Sequence, residues 1–255
     1  MILTIEIGNT NIVAGCCKDD KMIFVERLST HIRQTALEYA VSFKNILELY
    51  DISAEKINGC IISSVVPSET PVVREALEKI IHKKVMVLGP GIKTGLSIII
   101  DNPAQLGANL VAGAVAGISQ YGAPLIIFDM GTATTVSVID KNKNYIGGMI
   151  LTGVSTALEA LISKTSLLQS VAMETPKKMI GSNTADCIKS GAIFGTAAAI
   201  DGIIDRLEEE IGCQAKVVST GMTAESIVPY CRHDIIIDNE LLIKGLVEIY
   251  NKNKA

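Results

Sequence analysis

The chain has 255 residues, 48% of them hydrophobic and 20% charged, with a formal net charge of -4. That length suits one large domain or two ordinary ones, and the apolar share supports a real core and excludes a disordered chain. No run of Lys and Arg occurs, so a nucleic-acid or anionic-membrane partner has no electrostatic support.

In chain order, Met1 to Val25 reads as two strands joined at Gly8 to Asn11, with a further turn at Lys18 to Lys21. A helix is predicted from about Gln34 to Leu49, with Ala36, Tyr39, Ala40, Phe43, Ile46 and Leu47 along one face. "GCIISSVVP" is a short buried strand closed by Pro67, followed by a helix to about Lys83. "KVMVLGPG" is a strand ended by a Gly-Pro-Gly turn. From Asn102 to Phe128 no residue is charged, a stretch longer than a bilayer requires. Pro103, Gln105, Asn109, Gln120, Gly122 and Pro124 interrupt it, so it is expected to be a buried helix, a loop and a buried strand. In the helix, Gly113 and Gly117 are expected to allow close helix packing.

The pattern then restarts. "APLIIFDMGTATTVSVID" is strand, polar turn, strand, and "KNYIGGMIL" supplies a third. Helices are predicted at about Thr156 to Ile162 and Ala185 to Ile211, then a strand in "QAKVVSTGM" and a closing amphipathic helix in "DNELLIKGLVEIYNK". Strands first and then alternating helices and strands predict an α/β architecture. The six cysteines, Cys16, Cys17, Cys60, Cys187, Cys213 and Cys231, show no CxxC spacing, and "MILTIEIGN" has no signal-peptide pattern. They are read as reduced thiols of a cytoplasmic protein, mostly core fillers. His31, His82 and His233 lie outside every motif and are read as surface groups.

The restart repeats a chemical pattern. "IEIGNTNIVAG" and "IFDMGTATTVSV" align Glu6 with Asp129 and Gly8 with Gly131, each at an apolar strand end followed by Asn or Thr and a second apolar strand. One unit therefore occurs twice, with expected domains at 1–118 and 119–255 and a cleft between them. Glycine in such a turn lets backbone N–H groups approach a ligand closely, and Thr and Asn add uncharged donors, which together suit phosphate oxygens. A carboxylate beside that nest would repel bare phosphate, so its expected role is to hold a metal ion that bridges the phosphates. An ordinary hairpin with an exposed acid is the competing reading for one copy; two matched copies favour phosphate. "VVSTGM", with Gly221, adds a turn that suits the flat ring of a nucleotide.

These patterns resemble the acetate and sugar kinase, heat-shock ATPase and actin superfamily, with its two duplicated ribonuclease-H-like domains. Within it the chain resembles the type III pantothenate kinases along nearly its whole length, in "IGNTNI", "ISSVVP", "GPGIKTGL", "DNP", "DMGTATT", "YIGGMI", "ALEAL", "GSNT" and "IKGL". The resemblance implies ATP-dependent phosphorylation of pantothenate by a cytoplasmic homodimer. It implies ATP contacts at Glu6, Ile7, Gly8, Asn9, Thr10, Asn11, Ile12, Val13, Gly131, Thr132 and Gly221. It implies pantothenate contacts at Ile100, Gly107, Ala108, Asn109, Leu110 and Thr184. Asp129 matches a ligand of a monovalent cation, K+ or NH4+, and Glu6 stands where Mg2+ would be held.

Four positions depart from the family pattern. Asn109 and Leu110 replace an Asp-Arg pair, of which the Asp is the proton acceptor; Glu6 replaces a shorter Asp, and Ile100 a Tyr. Asn can accept a hydrogen bond but no proton at neutral pH, which leaves Asp101 as a substitute acceptor. A competing reading is a non-catalytic paralogue that binds nucleotide or pantothenate in a regulatory role; a third is a kinase for a less acidic hydroxyl substrate. Lys93 of "GIKTG" is either an anion contact or an exposed turn lysine.

Overall fold

The computed structural model describes residues 1–19, 21–30, 34–166, 168 and 171–254. His31 lies outside them. Backbone contacts divide the chain into two units: Met1–Leu96 with Asp101–Ala116 and Glu240–Ala255, and Ser97–Ile100 with Gly117–Asn239.

The first unit is built on strands β1 (Ile2–Ile7), β2 (Asn11–Lys18), β3 (Lys21–Ser29), β4 (Gly59–Ser64) and β5 (Met86–Val87), in the order β3-β2-β1-β4-β5. β1 pairs antiparallel with β2 and parallel with β4. Side chains alternate along a strand, so Leu3, Ile5 and Ile7 share one face. There they pack with Tyr39 and Phe43 of α1 (Ala36–Leu49) and Leu77 of α2 (Thr70–Ile81). A capping box starts α1: the Glu38 N–H donates to Thr35 Oγ1 at 3.4 Å and the Thr35 N–H to Glu38 Oε2 at 2.7 Å. Thr4 and Glu6 face the other way, towards the layer of α8 (Leu241–Asn253). There a side chain at Gly15 would run into Thr4 and Ile243. A side chain at Gly245 would collide with the Ala112 carbonyl of α3 (Ala108–Tyr121), so these two helices cross with their backbones nearly touching.

The second unit holds β6 (Ser97–Ile98), β7 (Leu125–Met130), β8 (Ala133–Ile139), β9 (Asn144–Thr152), β10 (Lys216–Thr220) and β11 (Ile235–Ile237). Their order is β11-β10-β7-β8-β9-β6. Read from β9, the run β9-β8-β7-β10-β11 repeats β3-β2-β1-β4-β5, with the same parallel partner beside each acid-bearing strand. Ile126, Phe128 and Met130 form the core with Ile193, Ala197, Ile200 and Ile204 of one helical run. That run is α5 (Thr184–Ser190), a π-helical turn at Gly191–Gly195, and α6 (Thr196–Ile211). Among the described residues it is the one helix long and apolar enough to cross a membrane, and those four residues form the face it packs on Ile126, Phe128 and Met130. α4 (Val154–Ser163) and the short α7 (Ala224–Ile227) complete the unit.

The uncharged stretch 102–128 is a helix, a turn and a strand, as its interrupting residues predict. β3 continues beyond the predicted turn to Ser29, because Phe24 and Leu28 still pack on the core after the β2–β3 register shifts at Cys16/Cys17. β6 and β11 are too short to carry an alternation pattern, and sequence reading missed both. The tight packing expected at Gly117 is against a sheet: a Cβ there would lie 2.6 Å from Leu125 Cδ2 and 2.9 Å from Ile127 Cδ1. At Gly113 only Leu242 comes within reach, at 3.9 Å.

Candidate active site

In the first unit the Gly8 N–H donates to the Asn11 carbonyl at 2.9 Å and closes the β1–β2 turn. Thr30, just past β3, braces it: its hydroxyl donates to the Gly8 carbonyl at 2.8 Å and its N–H to the Thr10 carbonyl at 2.9 Å. Asn9 and Thr10 are exposed at the tip. A Cβ at Gly8 would lie 3.6 and 3.7 Å from the two Glu6 carboxylate oxygens, so the carboxylate is turned over the hairpin. Glu6 has Val13 beside it on β2 and Ser63 on β4. Ser63 is fully buried, and its hydroxyl has no hydrogen-bond partner.

In the second unit the Gly131 N–H donates to the Ala133 carbonyl at 3.1 Å. Gly131–Ala133 separates the last strand pair here, against Gly8–Asn11 in the first hairpin, one residue fewer. The N-terminus of α4 abuts this turn. The Gly153 N–H donates to the Thr132 carbonyl at 3.1 Å and the Thr156 hydroxyl to the same oxygen at 2.9 Å. A side chain at Gly153 would collide with the Gly131 and Thr132 carbonyls, so this position requires glycine. A helix start brings unpaired N–H groups and the positive end of the helix dipole, both favourable to anions. On the other side Gly221 (φ 96°) passes the end of β7 so closely that a Cβ would lie 2.7 Å from Met130 backbone atoms. The Thr223 N–H and hydroxyl both donate to the Met130 carbonyl, at 3.3 and 3.1 Å. Asp129 has Thr135 and Thr220 as its strand neighbours. Thr220 is buried, and Thr135 Oγ1 is buried without a partner. Carboxylate and hydroxyl oxygens around an unpaired buried hydroxyl are a donor set that fits a hard cation, and Glu6 with Ser63 offers the same chemistry with one hydroxyl.

The residues expected on the substrate side divide between the units. Gly107 to Leu110 form the first turn of α3 in the first unit, with the Val111 N–H donating to the Gly107 carbonyl at 3.1 Å. A Cβ at Gly107 would lie 2.8 Å from Asn109 Oδ1, 3.8 Å from Leu110 Cγ and 3.9 Å from Val65 Cγ1. The Val65 N–H donates to the Ile7 carbonyl at 3.0 Å, so this turn stands beside the strand end that carries Glu6. Asp101 is exposed ahead of a 3-10 turn at Pro103–Gln105. Ile100 belongs to the second unit, after Ile99, whose N–H donates to the Tyr145 carbonyl at 2.8 Å. Thr184 is exposed as the first residue of α5, whose cap Asn183 accepts the Asp186 N–H at 2.9 Å.

Lys93 lies elsewhere. Its N–H donates to Asn253 Oδ1 at 2.9 Å and its carbonyl accepts from Asn253 Nδ2 at 2.8 Å, in the last turn of α8. That helix end meets Gly59 at the start of β4, through Tyr250, while the Glu6 hairpin is at the other end of the sheet. Of the histidines, His82 is exposed, but His233 is half-buried, with its ring bonded to Asp205 at 2.8 Å and its N–H to Asp201. Cys16, Cys17 and Cys60 are core residues and Cys187 is exposed. Burial pushes the Cys16 thiol up to about 11 and Cys231 up to about 12.

Ser63, Thr135 and Thr220 flank the two acids; sequence reading placed Thr135 in the phosphate cradle Gly131 to Thr135 but did not single out Ser63 or Thr220. A serine or threonine inside an otherwise apolar strand, in register with a known acid, was the available signal. Gly153 gave none, since its requirement arises from a turn more than twenty residues earlier.

A family model for type III pantothenate kinase matches residues 2–206 of the chain. A type III pantothenate kinase of Halalkalibacterium halodurans is 38% identical over 99% of this chain and 100% of its own length. One from an Exiguobacterium species is 38% identical over the full length of both. Among solved structures, the activator of 2-hydroxyisocaproyl-CoA dehydratase from Clostridium difficile, with bound ADPNP, superposes with a TM-score of 0.55 at 12% identity. It covers 99% of this chain and 94% of that one. The α/β fold is thus that of the actin-like ATPases, as the resemblance implies.

Proposed function

The chain belongs to the type III pantothenate kinase family, and from that premise we infer that it transfers the γ-phosphoryl group of ATP to pantothenate, the first step towards coenzyme A. The observation that carries this reading to particular residues is the repeat itself. Each unit has an acid-and-glycine hairpin on the same strand of the same sheet order, with a buried hydroxyl on the parallel neighbour. The ATP phosphates are assigned to Glu6 to Val13 and to Gly131 and Thr132, and the adenosine side to Gly221.

Phosphoryl transfer leaves the protein mainly positioning and charge stabilisation. Backbone N–H groups of the two glycine turns and the start of α4 supply fixed donors. Asp129, with Thr135 and Thr220, holds a monovalent cation, K+ or NH4+; Glu6, with Ser63, holds Mg2+. Bound there, the two ions offset phosphate charge. Pantothenate is assigned to Ile100, Gly107 to Leu110 and Thr184. Asn109 orients the substrate hydroxyl through its side-chain carbonyl, and Asp101 is the substitute proton acceptor. Val65 and Leu110 make the neighbourhood of Gly107 apolar, so the substrate carboxylate finds no cation at position 110. The protein is assigned to the cytoplasm as a homodimer of two-domain chains, with no nucleic-acid or membrane partner.

A non-catalytic role rests on Asn109 and Leu110 alone. A coupled ADP-release assay with pantothenate, on the natural chain and on Asn109→Asp, decides between them. Turnover in both, faster in the variant, is expected. Silence of both while ATP still binds would defeat the kinase assignment.

A further inference from the structure

The end of the first unit remote from the Glu6 hairpin holds a cavity of about 520 Å³, lined in part by Lys18, Asp19, Asn58, Tyr250, Asn251 and Lys254. It lies where β1 begins and α8 ends. We propose that this cavity binds a small phosphate-bearing anion of about nucleotide size, at a second site distinct from the hairpins.

Charge is the first support. Two lysines line the cavity against one carboxylate, in a chain whose acids outnumber its bases by 27 to 23. More lysines surround it. Lys21 is the register partner of Lys18. The Lys56 carbonyl accepts from the Met1 ammonium at 3.0 Å, and Lys83 Nζ donates to the Ile57 carbonyl at 2.6 Å. Among the described residues none of Lys18, Lys21, Lys56, Lys83 or Lys254 is paired with a carboxylate. Uncompensated like charges at one end repel one another, and a bound anion relieves that repulsion. They also outweigh the unfavourable negative end of the α8 dipole.

The second support is independent of charge. Asn251 Oδ1 is buried and has no hydrogen-bond partner, an arrangement that costs about 1–3 kcal/mol unless something supplies a donor. Asn58, Tyr250 and Asn251 line the cavity, and their side chains give it polar groups suited to the hydroxyl or amide body of a ligand whose phosphate meets the lysines. The volume is within the usual range for small-molecule sites. A lysine patch for a flat anionic membrane would need no such recess.

The test is calorimetry with inorganic pyrophosphate, in magnesium-free low-salt buffer, on the full chain. Gly8→Val combined with Gly131→Val disables both hairpins and should retain a pyrophosphate event. Lys18→Glu combined with Lys254→Glu should weaken that event at least about tenfold, with ATP-dependent turnover unchanged. Asn251→Leu, which alters no charge, should weaken it several-fold. The proposal is overturned if the natural chain and the double variant titrate alike, or if Asn251→Leu has no effect. It is equally overturned if the lysines bind phosphatidylserine vesicles while pyrophosphate gives no event outside the hairpin.

Discussion

The two units share a strand order and differ in what surrounds the acid. Asp129 has hydroxyl-bearing residues on both neighbouring strands, a helix N-terminus against its turn, and the Gly221 backbone pressed on the strand end. Glu6 has a hydroxyl on one side and Val13 on the other, with the first turn of α3 nearby instead of a helix start bonded to its turn. On the assignment proposed above, one scaffold serves two purposes: the second unit would hold cation and phosphate, while the first would join a phosphate turn to the substrate-side loop. All four departures from the family pattern fall on the substrate side or on Glu6, and none on the second hairpin.

That asymmetry can be broken by measurement. The largest effect is expected from Asp129→Ala, which should lower kcat/KM by about 10²–10³-fold by removing preorganised charge, whereas Glu6→Asp should change it by less than about tenfold. Equal losses in steady-state assays would erase the distinction. Placing a carboxylate at the acceptor position itself with Asn109→Asp should raise kcat by about 10²-fold, the lower end of what a general base supplies, because Asp101 substitutes for it only poorly. An unchanged kcat would mean that Asp101 or water already does that work.

Stability separates the glycines. Gly221→Ala should cost about 2 kcal/mol, because its backbone is left-handed and its Cβ would strike Met130. Gly131→Ala, whose Cβ would have the Ala133 carbonyl at 3.7 Å, should change the urea midpoint little. Ser63→Ala tests the unpaired hydroxyl through two opposite signs. It should leave stability unchanged or raise it by up to about 1 kcal/mol, yet slow turnover a few-fold and raise the magnesium requirement. A stability loss would mean that the hydroxyl is structural.

The smallest effect is in alkali. The Cys16 thiol titrates higher folded than unfolded, so its contribution is intact below pH 9 and is lost as pH rises towards about 11. Cys16→Ala should flatten that part of a pH–stability profile, while the lost core packing lowers stability alike at every pH.

Much of this was legible in residues. The pairing of Glu6 with Asp129 and Gly8 with Gly131 was visible because a strand end with an acid two residues before a glycine is a local pattern. The three-residue β11 and two-residue β6 were invisible, since such strands exist only by pairing with β10 and β9. The flanking hydroxyls depend on cross-strand register, and the Asn253 bonds to Lys93 span 160 residues. Neither leaves a local trace.

The most direct test of the central claim is calorimetric titration of a non-hydrolysable ATP analogue, with magnesium and potassium, into the natural chain, Gly8→Val and Gly131→Val. One nucleotide per chain should bind the natural protein, and each substitution should weaken it at least about tenfold while the chain stays folded. No uptake by the natural chain, or binding indifferent to either glycine, would contradict the assignment of ATP to these two turns.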